Sequence, residues 1–408
     1  MLNQLPLPAL FSGRSRHYAP SPIRAVFDLE LRPGTISLAG GNPDLSLLPW
    51  SEIANSVSRI IDQDGKYALQ YGTTTGRPEL AALIAKVMAE EGIEADPREI
   101  IVTTGSQMSL ELISKLFIDP GDIVFCAAPT YPGALHAFAS MEANVIQLPG
   151  DSQGISPQAL RTALSVAKAS GRKAKLLYLI PSFANPDGAT MPEKRRIAVA
   201  QICREFGIPI VEDNPYGLIN FEGLGSAPPT LRMIDPANVI YLGSLSKIFS
   251  PGIRIGWADA PTAVHASLVP AAESTAICPS VLSQFIAEAY LRDLDWRSIL
   301  AESTAGYRRR AKALLRGLGD FMPEGVTWTT PRGGFFIWVS VPESLDTSAL
   351  LEEAIEEGLV YIPGAAFYIE SRGHHELRLS YSLESEDDLY EGARRLGKVL
   401  RRGLNLAA

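Results

Sequence analysis

The chain reads as an α/β protein: a large domain with a mostly parallel sheet flanked by helices, then a smaller α+β domain. Three observations predict this. From about Ile101 to Ala258, short apolar runs alternate with helical patterns. The runs are apolar throughout, as strands buried on both faces are, and do not alternate as half-exposed strands would. The polar clusters of this region fall just after the runs, at strand ends, where ligands sit in parallel sheets.

Taken in order, residues 101–103 read as a strand. Gly105-Ser106-Gln107 opens a helix with Met108, Leu112, Ile113, Leu116 and Phe117 at helical spacing, and Asp119-Pro120-Gly121-Asp122 ends it. Residues 123–126 and 175–180 are further strands, the latter stopped by Pro181. A helix spans about 192–206, with Ile197, Ile202, Cys203 and Phe206 apolar, and closes at Gly207. Residues 208–211, 239–242 and 253–258 complete the strand set. After about Leu300 the pattern changes. A long helix carrying Tyr307-Arg308-Arg309-Arg310 leads to strands near 334–341, 360–362 and 377–381. A last helix starts near Ser385, a good N-cap, with Glu386, Asp387 and Asp388 in the first turn, where acids favour the positive end of the helix dipole. The first fifty residues, rich in Pro and Gly, read as an arm. The expected division is 1–55 as arm and small-domain contribution, 56–297 as large domain and 298–408 as small domain.

A chain of 408 residues is ample for such a core, and its net charge of −8 argues against a nucleic-acid partner. No apolar run approaches the ~18–20 residues that would cross a membrane. The N-terminal segment has Pro6 and Pro8 ahead of Arg14 and Arg16, which is not a signal-peptide pattern. Cytoplasm is the expected location. Cys126, Cys203 and Cys278 lie far apart, in or next to apolar segments, so buried free thiols are expected. The five histidines offer only the adjacent pair His374-His375, so no metal site is expected.

The richest stretch is Ser244-Leu245-Ser246-Lys247-Ile248-Phe249-Ser250-Pro251-Gly252-Ile253-Arg254. A lysine in a Ser/Gly/Pro loop is ordinarily a solvated surface residue. Here it follows an apolar strand, between serines and ahead of an arginine. Such a lysine can form a Schiff base with a carbonyl while Ser244, Ser246 and Arg254 hold a phosphate beside it. Those are the needs of pyridoxal 5'-phosphate. Asp213, at the end of another strand, is either a turn aspartate or a carboxylate facing the pyridine nitrogen, which would keep the ring an electron sink. Glu212 competes for that role, since strand alternation turns only one of the two to the site. Tyr216 and Asn185 are placed to hydrogen-bond the phenolate oxygen and lower the pKa of the imine. Ser106 and Gln107, at a strand-to-helix turn, either cap the helix or bind phosphate on its free N–H groups. Tyr131 is a ring-stacking or a core tyrosine. Arg378, in the apolar strand around Leu377-Arg378-Leu379, needs an anion if it points inward, such as a substrate carboxylate.

Together these residues resemble the fold-type I pyridoxal-phosphate aminotransferases of class I/II, and within them the 2-aminoadipate/kynurenine aminotransferase subgroup. The likeness covers nearly the whole chain. It includes Pro20-Ser21-Pro22-Ile23-Arg24, Ser37-Leu38-Ala39-Gly40-Gly41, Tyr71-Gly72 to Gly76, Thr104 to Gln107, Asn185-Pro186-Asp187-Gly188, Asp213 to Tyr216, the Lys247 stretch and Pro363 to Tyr368. The resemblance implies a seven-stranded-type sheet in the large domain and a proton-shuttling Schiff-base lysine at Lys247. It implies that Asp213 pairs the pyridine nitrogen and that Asn185 and Tyr216 hold the phenolate oxygen. Ser106, Gln107, Ser244 and Arg254 would hold the phosphate and Tyr131 would stack on the ring. Arg378 would bind the substrate carboxylate, with Gly41 beside the substrate. Tyr71 would reach the phosphate of a neighbouring subunit, implying a homodimer with shared sites, and Arg24 would lie in a segment that covers the substrate and meets a distal carboxylate. Two positions depart from the subgroup: Asp187 stands where threonine is usual, and Asn42 where an apolar residue is.

The reaction expected is transfer of an amino group from an L-amino acid (2-aminoadipate, aromatic or large aliphatic) to a 2-oxo acid, 2-oxoglutarate by resemblance, in a ping-pong sequence. A β-lyase, decarboxylase or oxidase on the same fold is the alternative, because fold does not settle function. A transcription regulator would need an added DNA-binding domain, for which too little chain precedes Ile101. A dinucleotide oxidoreductase is disfavoured by the absence of a G-x-G-x-x-G pattern.

Overall fold

The computed structural model describes residues 7–17 and 34–407. Its centre is a seven-stranded sheet in the order Ile100–Thr103, Gly256–Asp259, Val239–Ser244, Ile210–Asp213, Ala174–Leu179, Ile123–Ala127, Asn144–Leu148. Every pairing is parallel except the two made by Gly256–Asp259, which runs against both of its neighbours. Of the inner strands, Gly256–Asp259, Val239–Ser244 and Ile210–Asp213 are buried at every position, so both of their faces are covered and the near-continuous apolar runs follow. Helices Ser106–Phe117 and Thr262–Ala276 pack on each other on one side, and Pro157–Ala169 packs on Glu193–Phe206 elsewhere.

Several expected boundaries move. The strand expected at 208–211 is Ile210–Asp213, because Pro209 has no N–H to give the ladder. The strand expected at 253–258 begins only at Gly256, after the short turn Pro251–Ile253 and Arg254 in a left-handed conformation. The edge strand Asn144–Leu148 was not expected; its first three residues are only partly buried and its polar Asn144 and Gln147 break the apolar run.

A second, four-stranded sheet has the order Thr327–Trp328, Phe336–Ser340, Glu376–Ser380, Ile362–Pro363, all antiparallel. The single strand expected at 360–362 is two short pieces. Leu359–Val360 pairs in parallel with Ile36–Ser37, whereas Ile362–Pro363 joins the four-stranded sheet. Helices Trp296–Phe321 and Glu386–Ala407 cover this region and pack extensively on each other. Ser385 caps the latter as expected, accepting the Asp388 N–H at 3.1 Å. Residues 36–44 also dock here: Leu38 donates to Val360, Ser380 donates back to Leu38, and Asp44 pairs with Arg310 at 2.6 Å. Cys126 and Cys203 are buried free thiols; Cys278 is free but only partly buried.

Candidate active site

The ends of the central strands, the N-terminus of Ser106–Phe117 and one face of the four-stranded sheet converge on a cavity of about 480 Å³. Every site residue named from the sequence lines it except two. Arg24 lies outside the described residues. Tyr71 is 76% exposed and away from the cavity of its own chain. Size alone does not identify the site. A cavity of about 670 Å³ lies beyond Asp187, against Asp151, Trp338 and Glu376, but no lysine lines it.

Lys247 follows the strand Val239–Ser244 through a tight turn, and its Nζ donates to the Gly41 carbonyl at 2.8 Å. Burial, helped by the Arg378 and Arg254 charges, pushes its amine down to about 8. A lysine with that value carries a substantial neutral, nucleophilic fraction near neutral pH.

Asp213 ends the neighbouring strand and turns to the cavity. Its Oδ2 accepts the Tyr178 hydroxyl at 2.7 Å, while its Oδ1 is buried with no hydrogen-bond partner among the described residues. Burial lifts its carboxyl to about 6 against the Tyr178 hydrogen bond. Strand alternation turns Glu212 the other way. It accepts the N–H groups of Leu231 and Arg232 at 3.0 and 2.7 Å, which excludes it from the cavity. Tyr178 was missed from the sequence. The signal was there, since a tyrosine inside a fully apolar strand must satisfy its hydroxyl. It sits across from Val211, two residues before Asp213 and on the same face.

The helix Ser106–Phe117 starts from Gly105 (φ +75°), and no side chain caps it. The capping reading of Ser106 and Gln107 is therefore not met. Gln107 instead donates its Nε2 to the Gly133 carbonyl at 3.0 Å and accepts the Tyr131 hydroxyl at 3.4 Å. Arg254 lies across the start of this helix, its Nη2 donating to the Thr104 carbonyl at 3.1 Å. A Cβ at position 105 would stand 2.3 Å from that Nη2, so only glycine lets the guanidinium approach the helix end. Ser244 and Ser246 share a 2.9 Å hydrogen bond beside it. Free helix N–H groups, two hydroxyls and an arginine form an anion cradle.

Arg378 is buried and lines the cavity, so it points inward and does not face solvent. It stacks over Phe336, 4.2 Å from the ring centre, and donates from Nη1 to the Asn185 Oδ1 at 2.8 Å. Tyr216 is buried against Phe335 and Phe336. Asn42 lines the same cavity, as do His136 and Phe336, which the sequence reading did not single out.

The residues fit pyridoxal phosphate on the structure's own terms. The buried, unpartnered Asp213 Oδ1 needs a donor such as a pyridinium N–H, an anion cradle stands beside it, and an amine with lowered pKa opens into the same cavity.

The comparisons agree. The profile of the family described as aminotransferase class I and II matches residues 34–396. The chain is 37% identical to aromatic-amino-acid aminotransferase 1 of Thermococcus litoralis, over 96% of this chain and 94% of that one. It is 35% identical to a 2-aminoadipate transaminase of Thermus thermophilus, over 93% and 94%. Its fold superposes on a kynurenine aminotransferase of Pyrococcus horikoshii with a TM-score of 0.92 and 36% identity, covering 98% of both chains. The chain belongs to the class I and II aminotransferases, and it is a pyridoxal-phosphate-dependent aminotransferase of fold type I. Its substrates are amino and 2-oxo acids. Among the described residues no helix is long and apolar enough to cross a membrane.

Proposed function

We propose that this aminotransferase takes its amino group from 2-aminoadipate or from aromatic and large aliphatic L-amino acids and delivers it to 2-oxoglutarate, with Lys247 as the proton carrier. The observation that carries the residue roles is the pairing of two opposed groups in one cavity: an amine lowered to about 8 and a buried carboxylate with one oxygen unpartnered. Relatives acting on aromatic amino acids, 2-aminoadipate and kynurenine support the donor class.

When bound, pyridoxal phosphate supplies an electron sink that makes the substrate Cα–H acidic. Lys247 holds the cofactor and then, as a free amine, moves the proton between Cα and the cofactor's C4′. Asp213 keeps the ring nitrogen protonated, held in position by Tyr178. Tyr216 and the Nδ2 of Asn185 serve the phenolate oxygen; the Oδ1 of Asn185 is already taken by Arg378. Ser106, Gln107, Ser244, Ser246 and Arg254 take the phosphate, and Tyr131 covers the ring. Arg378 receives the α-carboxylate, with Gly41 beside the substrate.

Arg378→Ala tests the substrate end. Removing one partner of a buried ion contact costs roughly 2–5 kcal/mol, so kcat/KM should fall by about 30-fold to several thousand-fold. Because every donor has an α-carboxylate, the fall should be similar across a panel of dicarboxylic, aromatic and aliphatic donors. A loss confined to one donor type would show that Arg378 reads the side chain instead. The same panel on Arg24→Ala tests whether Arg24 meets a distal carboxylate. Unchanged preference for dicarboxylic over apolar donors would remove it from that role.

The active unit is a cytoplasmic homodimer. Residues 56–297 form the cofactor-binding domain, 298–408 the small domain, and 1–55 an arm that joins the small domain. Tyr67, Leu69, Tyr71 and Ile277 expose apolar side chains. The Gly72 N–H meets the Cys278 Sγ at 3.4 Å, which brings the Tyr71 and Ile277 segments together as one surface. A second copy would cover it and bring Tyr71 to the partner's phosphate. Sedimentation equilibrium should give twice the 44.1 kDa chain mass, and a monomer with full activity would refute the shared site.

A further inference from the structure

The turn that presents Asp213 and Tyr216 is held from behind by a group on another element. Glu91 lies just beyond the helix Pro78–Ala89, where its N–H returns to the Met88 carbonyl at 3.0 Å. Its Oε1 accepts the Asn214 Nδ2 at 2.6 Å, and its Oε2 accepts the Tyr241 hydroxyl at 2.6 Å. Asn214 is the residue between Asp213 and Pro215, and its backbone N–H extends the ladder to the Leu242 carbonyl at 2.9 Å. Tyr241 belongs to the strand Val239–Ser244, which delivers Ser244 and Lys247, and it pairs with Glu212. One carboxylate therefore ties the Asp213–Tyr216 turn to the strand that leads to the lysine.

The packing leaves this arrangement little freedom. A Cβ at Gly217, the residue after Tyr216, would stand 2.0 Å from the Glu91 Oε1 and 2.5 Å from the Asn214 Nδ2. The turn is drawn so close to the carboxylate that no side chain fits between them. Burial, helped by the Glu212 charge, lifts the Glu91 carboxyl to about 7 against the Tyr241 and Asn214 hydrogen bonds and the Arg196 charge. Nothing in the reaction described above uses Glu91.

We infer that Glu91 is a positioning residue: through Asn214 and Tyr241 it sets how Asp213 and Tyr216 meet the cofactor ring. It touches neither cofactor nor substrate. The inference rests on the roles proposed for Asp213 and Tyr216.

The test compares Glu91→Ala, Glu91→Gln, Asn214→Ala, the double variant E91A/N214A, and Gly217→Ala, which pushes the carboxylate aside without deleting it. Three quantities are read: the Kd for pyridoxal phosphate, the pH midpoint of the visible band of the lysine-bound cofactor, and the apoprotein Tm. Glu91→Ala and Asn214→Ala should each raise Kd about tenfold, the scale of one charge-assisted hydrogen bond, and displace the midpoint in the same direction. The double variant should be no worse than the more affected single variant, because both act through one contact. Glu91→Gln, which keeps the shape and one acceptor, should fall between wild type and Glu91→Ala. If Glu91→Ala does not fold, Glu91→Gln and Gly217→Ala carry the same expectation. Unmoved midpoints, additive effects in the double variant, or a lowered Tm with unchanged midpoint would each overturn the inference. A wild-type protein without the visible band would instead overturn the site assignment on which it rests.

Discussion

Lys247→Ala should abolish turnover, lowering kcat by about 10⁴-fold or more, at or beyond the upper range for one positioned proton carrier. On the roles proposed for Lys247, the variant would lose two functions at once: the covalent hold on the cofactor and the amine that carries the Cα proton. Among the described residues no second lysine lines the cavity to take its place. The visible band and the borohydride-fixed adduct should vanish together. Cofactor bound through the phosphate cradle should persist, since Arg254, Ser244 and the Ser106 helix end are untouched. In wild type the rate of cofactor capture should rise with pH up to about 8 and then level, following the neutral amine. A midpoint near the ordinary lysine value of 10.5 would mean that the Lys247 environment is not the one described.

The second large effect is at Asp213. Asp213→Asn keeps the shape and the Tyr178 contact but replaces a carboxylate oxygen with an amide that cannot hold a pyridine nitrogen protonated. Loss of this preorganised charge should lower kcat by about 10²–10³-fold, with the cofactor still attached to Lys247. The apoprotein should show the opposite trend in stability. The Asp213 carboxyl is pushed up to about 6 by burial, above its unfolded value. Its contribution to stability is fully present below about pH 4 and is lost as pH rises through 6. Near pH 8 the ionised, half-partnered carboxylate destabilises the cofactor-free fold by about 2–3 kcal/mol at most. Asp213→Asn apoprotein should therefore melt above wild-type apoprotein at pH 8, and the holoproteins should reverse that order. Equal melting points in both states would remove the charge argument.

Much of this site was legible because its residues fall at strand ends, and strand ends announce themselves in sequence. Asp213 and Ser244 end strands, Lys247 stands three residues past one and Asn185 six residues past another, and one buried sheet brings such ends to one edge. What was not legible depends on register between distant segments. Tyr178 reaches Asp213 only because its strand pairs with Ile210–Asp213 in one alignment. Glu91 is an ordinary-looking acid after a helix, and its meaning comes from Asn214 and Tyr241, far along the chain. The reversed direction of Gly256–Asp259 was also hidden, because a strand buried at every position reads the same in either direction. Short pieces such as Ile36–Ser37 and Leu359–Val360 carry too few residues for a period to show.

Lys247 and Asp213, in the roles proposed for them, would serve a transamination in two separable halves. The most direct measurement mixes stoichiometric holoenzyme with a single amino donor and no oxo acid, following the visible band and the released acid together. One equivalent of 2-oxo acid per site should be released, with loss of the visible band and its full recovery on adding 2-oxoglutarate. Continued release of product over many turnovers without an acceptor, with the visible band unchanged, would contradict this and point to a lyase, decarboxylase or oxidase on this fold.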